Sequence, residues 1–117
     1  MRGALTPVLG FEIETYCQEN EGTFNGMKGV SRVVLVNMHG ERVIDTYIKL
    51  YNEAPSTRKG QSMVIKQWAS SKAPTIELVR KVVLNLIRGR RLVGYHVIQK
   101  LREFKILDDY LAENASD

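Results

Sequence analysis

The chain predicts an α/β fold, a mixed sheet with helices packed against it, and three observations carry the prediction. β-Branched and aromatic residues gather in three runs ahead of Tyr51. A helical apolar period takes over from Thr75, and one short run, Leu92-Val93, interrupts that helical part. An antiparallel β-meander followed by helix, strand and helix buries its sheet under the helices.

The first strand is Val8 to Tyr16, rich in Val, Phe, Ile, Thr and Tyr and opened by Pro7. Gln18 to Gly29 carries Asn20, Gly22, Asn25, Gly26 and Gly29 and reads as a loop. Val30 to Met38 is the second strand, His39-Gly40 turns the chain, and Arg42 to Leu50 returns antiparallel as the third. Asn52 to Gly60 is a loop, a short helix runs from Ser62 to Trp68, and Ala69 to Pro74 breaks it.

Thr75 to Arg88 is the strongest helix. Ile76, Val79, Val83, Leu86 and Ile87 form one stripe, Thr75 caps the N-terminus, Glu77 lies in the positive first turn and Gly89 ends it. Arg91 to His96 is a fourth strand. Val97 to Leu107 is a last helix with Ile98, Leu101 and Phe104 on its apolar side, and Leu111 to Asp117 frays.

A chain of 117 residues makes one domain, residues 1–117. The single Cys17 forms no internal disulfide, which suits the cytoplasm or nucleus, and it lacks a nearby His to activate it. No run is apolar enough to span a membrane, and Met1 to Pro7 has no secretory core. A net charge of +4 is modest for a nucleic-acid binder, but Arg88, Arg90, Arg91, Lys100, Arg102 and Lys105 cluster late and are the candidate phosphate contacts. For such a run, a solvated helix face is the commoner role. Neither a phosphate-loop glycine motif, a paired Cys/His zinc set nor a Ser elbow is present.

Four phrases stand in order along the chain. Leu9-Gly10-Phe11-Glu12-Ile13-Glu14-Thr15 comes first, then Arg32-Val33-Val34-Leu35-Val36-Asn37-Met38-His39-Gly40 with Val43-Ile44-Asp45. Ser56 to Ser62 follows, and Leu86-Ile87-Arg88-Gly89-Arg90-Arg91-Leu92-Val93-Gly94-Tyr95 runs on to Leu101. Together they resemble the DEDDh branch of the DnaQ-like 3′→5′ exonucleases, above all the eukaryotic RNA exonucleases with an RNase H-like fold. The likeness spans about Pro7 to Phe104. It implies an RNase H-like mixed sheet. The family's last motif has no room before Asp117, so the expectation is a domain truncated at its C-terminus.

The resemblance also implies a two-metal phosphodiesterase site. Glu14 matches a family carboxylate, Glu12 stands where Asp is usual, Tyr95 replaces the His after the glycine, and Lys100 replaces a metal-binding Asp. An added methylene displaces oxygens that magnesium needs near 2.0–2.1 Å, roughly, and an ammonium removes a ligand while adding a positive charge. The expectation is a catalytically inactive module with no catalytic residue and no metal cofactor, in which Lys100 pairs with Glu12 or Glu14. Its role would be docking a protein partner, or contacting RNA through the relict groove. The alternative is an active exonuclease using Mg²⁺ or Mn²⁺ held by Glu12, Glu14, Asp108 and Asp109. The Arg91–His96 edge calls for cover, by the C-terminal tail, a second copy or a protein partner. His39 reads as a turn residue and His96 as a structural or exposed histidine rather than a catalytic base displaced by one position, while Tyr16, Phe24, Trp68 and Tyr95 are commoner as packing than as base-stacking groups.

Overall fold

The computed structural model describes residues 3–17, 28–49 and 73–114. Their elements run β1 (Val8–Cys17), β2 (Lys28–Val36), β3 (Arg42–Tyr47), α1 (Ile76–Ile87), β4 (Arg91–Val93), α2 (Val97–Glu103) and α3 (Leu107–Asn114). The sheet order is β3-β2-β1-β4. β1, β2 and β3 pair antiparallel, and β4 lies parallel to β1. The protein is therefore a small α/β fold with a mixed four-stranded sheet and three helices among the described residues.

Register separates the two faces of the sheet. Phe11 opposes Leu35 and Ile13 opposes Val33, whereas Glu12 opposes Val34 and Glu14 opposes Arg32. The first set joins Leu9, Val79, Val83, Ile87, Leu101, Phe104 and Ile106 in one buried core. Burying a Val, Leu, Ile or Phe side chain contributes roughly 1.5–3 kcal/mol. That burial, rather than propensity, holds α1, whose Val and Ile residues are stiff at χ1 and middling helix formers. Thr75 Oγ1 accepts from the Leu78 N–H at 3.3 Å, and Gly89 leaves the helix at φ +72°.

The β2–β3 turn is organised by buried Asn37. Its Oδ1 accepts from the His39 and Glu41 N–H groups, both at 2.9 Å. Its Nδ2 donates to Ala4 O at 2.9 Å and Glu41 Oε1 at 2.8 Å, tying the N-terminal segment to the turn.

Several boundaries differ from expectation. β2 begins at Lys28, so Gly29 belongs to the ladder opposite Tyr16. A Cβ on Gly29 would sit 2.4 Å from the Tyr16 ring, so this glycine serves close packing rather than a loop. β2 ends at Val36, leaving Met38 in the turn. β4 is three residues long, because Gly94 at φ +148° and His96 at φ 54° bend the chain away. The expected single last helix is two helices. Lys105, at φ 64°, breaks it so that Leu101, Phe104 and Ile106 all reach the core. Ile98 is not on the apolar side but 52% exposed. The end does not fray at Leu111, since α3 continues to Asn114. The rest of the expected loop at 18–27, Phe24, Leu50, the loop at 52–60, the Ser56–Ser62 phrase, the helix at Ser62–Trp68 and residues 115–117 lie outside the described residues. Among the described residues no helix is long and apolar enough to cross a membrane.

Candidate functional site

Alternation along β1 puts Glu12 and Glu14 on the sheet face opposite Phe11 and Ile13. Lys100 reaches that pair from α2. Gly94 passes so close to β1 that a Cβ would lie 2.9 Å from Phe11 O. His96, left-handed at the start of α2, then reverses the chain. Lys100 follows one turn into the helix, beside buried Leu101, with its side chain 16% exposed. Its ammonium pairs with Glu12 Oε1, as the sequence reading anticipated, and lies 5.6 Å from the Tyr95 ring centroid. Tyr95 itself is 71% exposed and packs edge-on against His96 at 4.1 Å between centroids.

Glu14 has a different cation. Arg32, its cross-strand partner, donates from Nη1 to Glu14 Oε2 at 2.8 Å. The same guanidinium grips Asp45 with two bonds, Nε to Oδ1 at 2.8 Å and Nη2 to Oδ2 at 2.9 Å. Arg42 Nη1 adds a third to Asp45 at 2.8 Å. The fork of Arg32 holds the Asp45 carboxyl below its ordinary value, partly opposed by burial, and the Asp45 carboxylate raises the Arg32 guanidinium in return. Arg32 also lies 5.6 Å from the Tyr47 ring centroid. Sequence reading missed this network. Its signal was the hairpin register, which puts Arg32 and Asp45 on the same side of adjacent strands as Glu14.

The late basic residues do not form one surface. Arg88 pairs with Glu113 at 3.5 Å. Arg90 is tied to backbone, donating to Leu86 O at 3.0 Å and Thr6 O at 3.2 Å. Lys100 is on Glu12. Arg91, Arg102 and Lys105 are exposed and make no ion pair among the described residues. Arg102 and Lys105 share a shallow depression with Leu107, Asp108 and Asp109.

The residues of the alternative metal set are divided between two places. Asp108 and Asp109 occupy the first turn of α3, beyond the Lys105 bend, facing that depression. Among the described residues no three His, Cys, Asp or Glu side chains stand together as a metal site requires. Glu12, Glu14, Asp108 and Asp109 are thus not assembled as ligands. The donor set at Glu12, with an ammonium on one carboxylate and a guanidinium on its neighbour, does not fit a dication.

Compared with known proteins, the chain matches no family model, and no curated protein matches it significantly.

Proposed function

We propose that this domain is a catalytically inactive, exonuclease-like module of RNase H-like type, acting in protein interaction or scaffolding, with RNA contact as a secondary capacity. The observation that carries the reading is the Lys100 ammonium seated on Glu12. Two-metal phosphodiester cleavage needs carboxylates gathered around dications. Here Lys100 neutralises one carboxylate and repels any approaching cation, while Arg32 occupies the other. The RNase H-like assignment rests on the order of the motifs from Glu12 to Lys100.

The interaction role is supported at the end of the sheet. Val93, Tyr95 and Ile98 are exposed apolar groups around β4, 46%, 71% and 52% accessible. An aromatic flanked by aliphatics suits a protein partner better than a phosphate backbone. Arg91, Arg102 and Lys105 remain as RNA contacts, consistent with a module working in the nucleus or cytoplasm.

A labelled single-stranded RNA oligomer incubated with the protein and Mg²⁺ or Mn²⁺ tests the proposal. The expected result is full-length RNA and an unchanged melting temperature, since a dication bound only to the native state must raise it. Trimming from a free end that stops under a chelator overturns it. Any RNA binding should show a shallow salt dependence, matching about three phosphate contacts.

A further inference from the structure

α1 carries more apolar surface than the core takes up. Val79, Val83 and Ile87 are buried, while Leu78 and Val82 are 52% and 37% exposed and Leu86 is half-buried at the core margin. Leu78, Val82 and Leu86 are spaced i, i+4, i+8, the row with which one helix packs against another. Arg80 marks the flank of α1 that is already taken. Its Nε donates to Phe104 O at 2.9 Å, where α2 gives way to α3. A step of about 100° per residue turns the Leu78, Val82 and Leu86 row away from that flank.

One apolar segment of the chain is tethered beside this row. Residues 50–72 join β3 to α1, and the two sides of that connection meet: Lys49 N–H donates to Pro74 O at 2.8 Å. Late in the connection the sequence has Val64, Ile65 and Trp68, which share one side of the short helix expected at 62–68. Residues 69–72 alone separate Trp68 from Ala73, a span of at most about 18 Å. Val82 stands about 9 Å along α1 from Ile76. A tether this short presents the segment at an effective concentration on the order of millimolar, which a second copy or a free partner does not match. We infer that residues 62–68 dock on the Leu78, Val82 and Leu86 row of α1, with Trp68 against Leu78 and Val82. The row is reserved for this chain rather than for a partner.

Trp68 is the single tryptophan, so its fluorescence in the full chain reports the contact directly. The expected result is an emission maximum well to the blue of the urea-unfolded chain, weak quenching by acrylamide and no change with protein concentration. Leu78→Asp should move the maximum to that of the unfolded chain and raise the quenching, while the circular dichroism of the fold is kept. Position 78 lies in the first turn of α1, where an added carboxylate favours the helix. Leu111→Asp, at a leucine of α3 that is 50% exposed, should change neither readout. Should Leu78→Asp not fold, Val82→Thr keeps the shape of the side chain and must still raise the quenching. A wild-type emission at the unfolded position overturns the inference. So does a blue-shifted emission that is indifferent to Leu78→Asp and Val82→Thr, or equally sensitive to Leu111→Asp. An emission that moves with concentration also overturns it and gives the row to a second copy. None of these outcomes bears on the inactive-module reading, which the RNA assay decides separately.

Discussion

Lys100→Met isolates the ammonium from the rest of the lysine, because methionine keeps most of the apolar stem. The ion pair with Glu12 is worth about 0.5 kcal/mol, a low figure because the Glu12 side chain is 57% exposed and water screens it. The contact with the Tyr95 ring at 5.6 Å adds about 0.5 kcal/mol. Lys100→Met should therefore lose about 1 kcal/mol, or about 4 °C in melting temperature. Lys100→Ala also strips the stem from a side chain only 16% exposed. That should bring its loss to about 2 kcal/mol. Glu12→Gln supplies the other arm of a double-mutant cycle. Urea unfolding of the wild type, Lys100→Met, Glu12→Gln and the double variant should give a coupling of about 0.5 kcal/mol that shrinks with added salt. A coupling indistinguishable from zero at low salt, with equal losses for Met and Ala, would refute the idea that the ammonium has taken over the carboxylate's partnership.

Asp45 sets an acid limit on stability. Its pKa is lowered from an ordinary value of 3.8, mainly by the Arg32 bond, so its contribution is complete above that value and disappears as pH falls through the folded pKa. Asp45→Asn should flatten the acid side of a stability–pH curve measured by urea titration, and an unchanged slope below pH 3.8 would count against the network. Asn37→Ala should cost about 2–4 kcal/mol, because it leaves the His39 and Glu41 N–H groups and Ala4 O without their partner. Thermal unfolding checks that loss, and a shift within error would show that water replaces the amide.

Local chemistry determined much of this protein from sequence alone. Alternating Phe11, Glu12, Ile13 and Glu14 fixed the two faces of β1, and the period from Ile76 to Ile87 fixed α1. Pairing of Lys100 with one of the two glutamates followed from placing the phrases near Glu12 and Tyr95 in one resemblance. What the sequence left undecided depended on contacts between distant segments. Gly94 ends β4 because the backbone of Phe11 leaves no room for a side chain, and Gly29 stays in a strand because the Tyr16 ring lies against it. Which glutamate takes Lys100, and that Arg32 takes the other, followed from where α2 and β2 come to rest. The basic run from Arg88 to Lys105 is contiguous in sequence yet divided in space among Glu113, backbone carbonyls, Glu12 and solvent. Charge in a sequence can be counted residue by residue, but a charged side chain's partner is set by packing, since its Coulomb energy falls with distance and with exposure to water.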